Sequence, residues 1–174
     1  MLVYFGTRTN LIMSPDWITD AIYQILEKGA AYAANGVIEN KVIERILYKD
    51  KQKSFNKYLV DFVRNMMREK GLSFPYPNQD RLFIPALCTR EEPAAAEAFM
   101  SATDTIHMQM LFRYLPTGVL HQLMVDLCDD LDNQMVWLSG ALFMNDVGCK
   151  ALVIRENGGL CLLCYTRLTA NASG

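Results

Sequence analysis

Apolar residues recur at helical spacing through three stretches of the first half. Trp17, Ile18, Ala21, Ile22, Ile25 and Leu26 repeat at intervals that predict a helix with one buried face. Ser14-Pro15-Asp16 supplies its start: a capping hydroxyl, a proline suited to the first turn and an acidic residue at the positive end of the dipole. Val42, Ile43, Ile46 and Leu47 predict a shorter helix over 39–47. Tyr58, Leu59, Phe62, Val63 and Met66 predict a longer one, capped by Ser54 and stopped by Gly71. Residues 2–5 read as a short strand. Two extended runs, 72–76 and 81–87, flank Pro77-Asn78-Gln79-Asp80, which is turn chemistry.

The period changes near residue 105. Ile106, Met108, Met110, Phe112 and Tyr114 alternate with His107, Gln109, Leu111 and Arg113, predicting a half-buried strand. Pro116-Thr117-Gly118 ends it and opens a helix to about residue 131 along Leu120, Leu123, Met124 and Leu127. Strands are predicted over 135–144, 149–155 and 160–167, with Asn157-Gly158-Gly159 as a hairpin signal. Helices followed by a hairpin is the order of a winged-helix domain. The predicted fold is therefore α+β: an N-terminal winged-helix-like, α-rich subdomain over 1–88, a linker over 89–104, and a smaller α/β subdomain over 105–168. The latter has a mostly antiparallel sheet with one covering helix. Residues 169–174 read as a frayed tail.

Composition supports a packed chain without adding a function. Of 174 residues, 51% are hydrophobic and 21% charged, which excludes disorder as the main state. The longest apolar run, 160–165, is six residues, against about 20 for a membrane span. The net charge of −2 does not suit a dedicated nucleic-acid binder. Five cysteines without a signal peptide point to a reducing, cytoplasmic setting.

Candidate chemistry is sparse. Cys161 and Cys164 have C-x-x-C spacing, but a strand sends residues three apart to opposite faces, and a structural zinc needs four ligands. His107 and His121 sit in no nucleophile or metal motif. Asp129, Asp130 and Asp132 lack the calcium-loop spacing and sit poorly for the dipole at the predicted helix end. Neither phosphate-binding glycine motif occurs. Residues 49–70 carry seven basic residues against three acidic, a net of +4. In a winged helix the third helix can enter a major groove, so DNA binding through Lys53, Lys57, Arg64 and Arg68 is the alternative function.

Several ordered motifs resemble one family. Pro15-Asp16-Trp17-Ile18, then Ala21-Ile22-Tyr23 and Ile25-Leu26, resembles the P-x-W-L…aIY-x-iL segment of the COR domain, the region following the Roc GTPase in Roco proteins. Residues 81–87, Arg-Leu-Phe-Ile-Pro-Ala-Leu, are similar to its r-y-l-I-P-a-L. Phe112 through Gly118 resembles its f-L-P-x-G helix entry, Trp137 to Gly140 its W-x-x-G, and Ala151-Leu152-Val153 its A-L-V strand. Asp16 stands where the family often has glutamine, and Leu138 where it often has arginine.

The resemblance implies a non-catalytic dimerisation and regulatory scaffold with two subdomains, coupled to a Roc GTPase in the parent chain. It implies no cofactor, metal or catalytic residue in this segment. The chain is expected to be a fragment truncated at both ends. Trp17, Tyr23, Pro85, Pro116, Gly118 and Trp137 are the expected structural anchors. The sheet carries more apolar residues than one helix can cover, which points to a homodimer through the second subdomain, with Leu111, Tyr114, Leu115 and Leu142 at the contact. The competing explanation is that the surplus fills the seam between the halves.

Overall fold

The computed structural model describes residues 3–4, 11–12, 16–48, 57–76, 80–116, 118–156 and 161–168. Ser14, Pro15, the lysine-rich connection 49–53, Ser54, the turn residues 77–79, Thr117, residues 157–160 and the tail 169–174 lie outside them. The fold is α+β.

In the first half, β1 (Val3–Tyr4) pairs antiparallel with β2 (Leu11–Ile12). Then come α1 (Asp16–Gly29), β3 (Val37–Glu39), α2 (Asn40–Tyr48), α3 (Lys57–Glu69), β4 (Phe74–Tyr76) and β5 (Arg81–Phe83). The last three strands form an antiparallel sheet in the order β3-β5-β4. Ala21 and Ile25 of α1, Ile43 and Leu47 of α2, and Val60, Val63 and Met67 of α3 bury their side chains together with Ile38 and Leu82 of the sheet. Strand alternation sends the next residues the other way. Val37, Phe74 and Phe83 pack into a second core shared with the other half.

Two local features end these elements. Gly71 takes φ +64 just after α3, and the Leu72 N–H donates to the Met67 carbonyl at 2.8 Å, the six-to-one bond of a glycine helix stop. The second extended run is shorter than expected. It stops at Phe83, and Pro85–Leu87 forms a 3-10 turn, because Pro85 has no N–H to give a sheet.

The second half contains α4 (Ala94–Met100), β6 (Ile106–Leu111), α5 (Val119–Asp126), β7 (Leu131–Trp137), β8 (Gly140–Met144), β9 (Cys149–Glu156) and β10 (Cys161–Leu168). The strands form one antiparallel sheet in the order β6-β10-β9-β8-β7. Val136, Ala141, Phe143, Val153 and Leu162 face α5 and the first half. Met135, Trp137, Leu142, Leu152, Ile154 and Leu163 face α4, through Ala96 and Phe99. The alternation is complete across the central strands, so both faces are buried.

This corrects four expectations. The sheet has helices on both faces rather than one covering helix; the second is α4, inside the segment read as linker. Residues 135–144 are not one strand: the chain reverses at Leu138-Ser139 between β7 and β8. The strand read as half-buried is exposed at all six positions, because β6 is the outermost strand of the sheet. Finally, α5 ends at Asp126, so Asp129 and Asp130 occupy the turn before β7 instead of the last helical turn.

Candidate interaction surface

The two halves meet along a continuous apolar seam. Phe74, Phe83 and Cys88 from the first share a core with Leu120 and Met124 of α5 and the inner face of the five-stranded sheet. The Phe74 and Phe83 rings, register partners across β4 and β5, stack at 4.8 Å. Polar bonds fix the seam's register. Asn35 takes φ +46, a left-handed conformation asparagine tolerates better than most residues. Its side-chain N–H donates to the Val136 carbonyl of β7 at 2.9 Å, and its side-chain oxygen accepts the Thr89 N–H at 3.0 Å. The Leu138 N–H in turn donates to the Thr89 carbonyl at 2.7 Å. Gly36, at φ +85, lets Phe83 and the Cys88 thiol approach closely; a Cβ there would lie 2.8 Å from the sulfur.

These bonds treat the two edges of the five-stranded sheet differently. On the β7 side, Val136 of the strand and Leu138 in the turn just after it are engaged by Asn35 and Thr89. On β6, the only strand neighbour among the described residues is β10. Its sequence, Ile-His-Met-Gln-Met-Leu, carries no lysine, proline or bulge, the devices that normally protect an edge from pairing. Ile106, Met108, Met110 and Leu111 are exposed, as are Phe112 and Tyr114 just beyond. His107 stacks on its cross-strand partner Tyr165 at 4.6 Å, and Asp104 pairs with Arg167 at 2.6 Å beside the start of β6. Among the described residues the strand is thus braced on its β10 side and has no strand neighbour on the other.

The expected contact residues divide. Leu111 and Tyr114 are 73% and 78% exposed, on and beside the open edge. Leu115 and Leu142 are not available to a partner: Leu115 is buried in the seam, and Leu142 lies beneath α4. The sheet surplus that motivated a covering partner is largely met by α4 and the seam. Among the expected anchors, Trp137 is fully buried and Pro85 is buried at the start of the 3-10 turn. Trp17 is half-buried against the helical core, its ring 6.4 Å from Phe62. Tyr23 does not anchor, since it points outward at 67% exposure. Pro116 and Gly118 are exposed, and a Cβ on Gly118 would meet nothing within 4 Å, so packing does not demand glycine there.

The titratable groups offer little chemistry. Burial pushes the Cys88 thiol up to about 12 and also raises Cys164, so both stay protonated and weakly nucleophilic near neutral pH. Burial lowers His121 below its usual value, and its ring nitrogen lies 3.4 Å from the Leu138 carbonyl, at the seam. Among the described residues no group of three His, Cys, Asp or Glu side chains could hold a metal. No helix among them is long and apolar enough to cross a membrane. Of the basic segment, Arg64 is engaged by Asp61 at 3.2 Å and Glu44 at 3.9 Å.

The open edge, exposed on both faces, was missed by period-2 reading, because alternation of residue type cannot tell an inner strand from an outer one. The signal available was the absence of lysine, arginine, aspartate and glutamate from 106–111, unusual for an exposed strand.

Comparison with known proteins matches both halves. Residues 1–88 match the family model described as C-terminal of Roc, COR-A domain, and residues 103–159 match C-terminal of Roc, COR-B domain. A Roc-COR-CHAT protease from Runella zeae is 24% identical over 148 residues, covering 83% of this chain and 15% of that protein. A second Roc-COR-CHAT protease, from an unknown prokaryotic organism, is 20% identical over 151 residues, covering 82% and 13%. A probable serine/threonine-protein kinase, pats1, from Dictyostelium discoideum is 21% identical over 161 residues, covering 83% and 5%. The chain therefore spans a small part of the length of these relatives.

Proposed function

Because the chain belongs to the C-terminal of Roc family, with its COR-A and COR-B segments in that order, we propose that it is a non-catalytic scaffold that ties a Roc GTPase of the same polypeptide to self-association. The observation that carries this reading is the contrast between the two sheet edges. Val136 on the β7 edge and Leu138 just beyond it are engaged by Asn35 and Thr89, while β6 presents a strand without lysine, arginine, aspartate or glutamate and, among the described residues, without a second strand neighbour. Two copies related by a two-fold axis can add β6 to β6 antiparallel, extending both five-stranded sheets into one. Backbone bonds supply the pairing, and Met108, Met110, Leu111 and Tyr114 supply apolar contact.

The seam gives such a contact a way to act on a neighbouring domain. Three-stranded sheet, α5 and five-stranded sheet share one core, so the halves move together. A partner on β6 and a GTPase attached to the first half are then linked through packed elements instead of a loose tether. In this reading the segment itself neither binds nor hydrolyses GTP, which fits its lack of a phosphate loop.

Sedimentation equilibrium over a concentration series tests the reading, with wild type beside Met110→Lys/Leu111→Lys. A reversible dimer, weakened roughly tenfold or more by the two charges, is expected. Both positions are exposed, so the fold should lose no more than about 0.5 kcal/mol for each. A monomer up to hundreds of micromolar, or a dimer indifferent to the variant, contradicts it.

A further inference from the structure

Between α3 and the three-stranded sheet lies a cavity of about 190 Å³ that neither the seam nor the β6 edge uses. Arg64, Asn65 and Arg68 form its helical side, and Arg81, Pro75 and Asn40 its other side. Arg64 and Arg68 are four residues apart on α3 and so share one face of the helix. Arg81 opens β5, antiparallel to both β3 and β4.

The charge in this cavity is unevenly neutralised. Arg64 is shared between Asp61 and Glu44. Among the described residues, neither Arg68 nor Arg81 has an ion pair within 4.0 Å, although Glu39 is Arg81's register partner across β3 and β5. Among the described residues two guanidinium groups, both at exposed positions, therefore have no carboxylate partner beside a third, with the Asn65 amide as a further donor. A guanidinium is a planar fork of N–H donors, always charged, matched to the oxygens of phosphate or carboxylate. Donors from two walls suit the three terminal oxygens of a phosphoryl group better than the two of a carboxylate. The cavity is roomy enough for such a group together with water.

We propose that this arginine-lined cavity is an oxyanion site that takes a phosphoryl group, with Arg68 and Arg81 as its principal ligands. The chemistry is shared by a free phosphate compound and a phosphorylated side chain.

NMR titration of the amide and arginine Nε–H resonances decides it, with sodium phosphate as the probe and sodium chloride at matched ionic strength as the control. Saturable shifts are expected at Arg68, Arg81, Asn40 and Asn65. Arg68→Gln/Arg81→Gln should keep a folded spectrum and weaken binding roughly tenfold or more. A phosphoserine peptide and its unphosphorylated form separate the sources. Tighter binding of the phosphopeptide than of phosphate assigns the site to a modified side chain, and equal binding assigns it to a free phosphate compound. Shifts reproduced by chloride, binding undiminished in the double variant, or binding of a DNA duplex without any phosphate site would overturn the proposal.

Discussion

Gly140 lies beneath the indole of Trp137, its register partner across the β7–β8 reversal. A Cβ on Gly140 would collide with Cζ2, Cη2 and Cε2 of the ring. The W-x-x-G spacing is therefore one packing unit: a two-residue turn places the glycine opposite the tryptophan, and the missing side chain makes room for it. Trp137 is 1% exposed, buried with Met135, Leu142 and Ile154 beneath α4.

Gly140→Ala should destabilise the fold by roughly 1–3 kcal/mol, because the indole must leave its rotamer or the strands must part. Trp137→Ala should cost roughly 3–5 kcal/mol through the cavity it leaves. Urea unfolding followed by far-UV circular dichroism measures both. A Gly140→Ala protein as stable as wild type would show that the ring moves aside freely.

Asn35 joins the halves by two side-chain bonds, and its replacement separates bonding from backbone conformation. Asn35→Ala loses both bonds and must also hold φ +46, whereas Asn35→Gly loses the bonds but tolerates that conformation. Losing the part-buried donor to the Val136 carbonyl should cost roughly 1 kcal/mol, while the exposed Thr89 N–H can turn to water. Alanine should therefore be the worse of the two, with glycine still below wild type. Equal stability of Asn35→Gly and wild type would remove the bonds from the account of the seam.

His121 makes the seam sensitive to acid. Burial, the first cause, and the nearby Arg155 charge hold its folded value below the ordinary 6.5. The unfolded chain therefore takes up a proton at a higher pH than the folded chain does. Stability from this group is present above about 6.5 and declines as pH falls from there towards the folded value. His121→Gln should flatten this part of the stability curve between pH 7.5 and the acid limb, as measured by chemical unfolding at each pH. Identical curves for variant and wild type would show that the group is insensitive to folding.

The sequence made the helices of the first half legible because each buries a single stripe. Ala21 and Ile25, Ile43 and Leu47, and Val63 and Met67 recur every three or four residues and end in one core. The resemblance to the C-terminal of Roc family was equally readable, since its motifs are short, local and ordered. What stayed hidden depended on partners distant in sequence. The helix containing Ala96 and Phe99 is only seven residues long, and its alanines gave it no stripe to read. Leu138-Ser139 lacks the Asn-Gly or Asp-Gly chemistry of a recognisable hairpin, so two strands read as one. Leu115 and Leu142 looked like surplus because the elements that cover them are far along the chain. Asn35 gave no signal at all, because its role lies in bonds made 54 and 101 residues away.

If copies meet at the β6 edge, hydrogen–deuterium exchange over residues 106–111 reports the contact at the strand itself. In an isolated copy, alternate β6 amides turn away from β10 towards solvent and should exchange quickly. Pairing with a second β6 would bury those same amides. Protection should rise with protein concentration in step with the mass of the dimer and disappear in Met110→Lys/Leu111→Lys. Exchange at 106–111 that stays fast while the dimer forms would place the contact elsewhere and rule out pairing of β6 with β6.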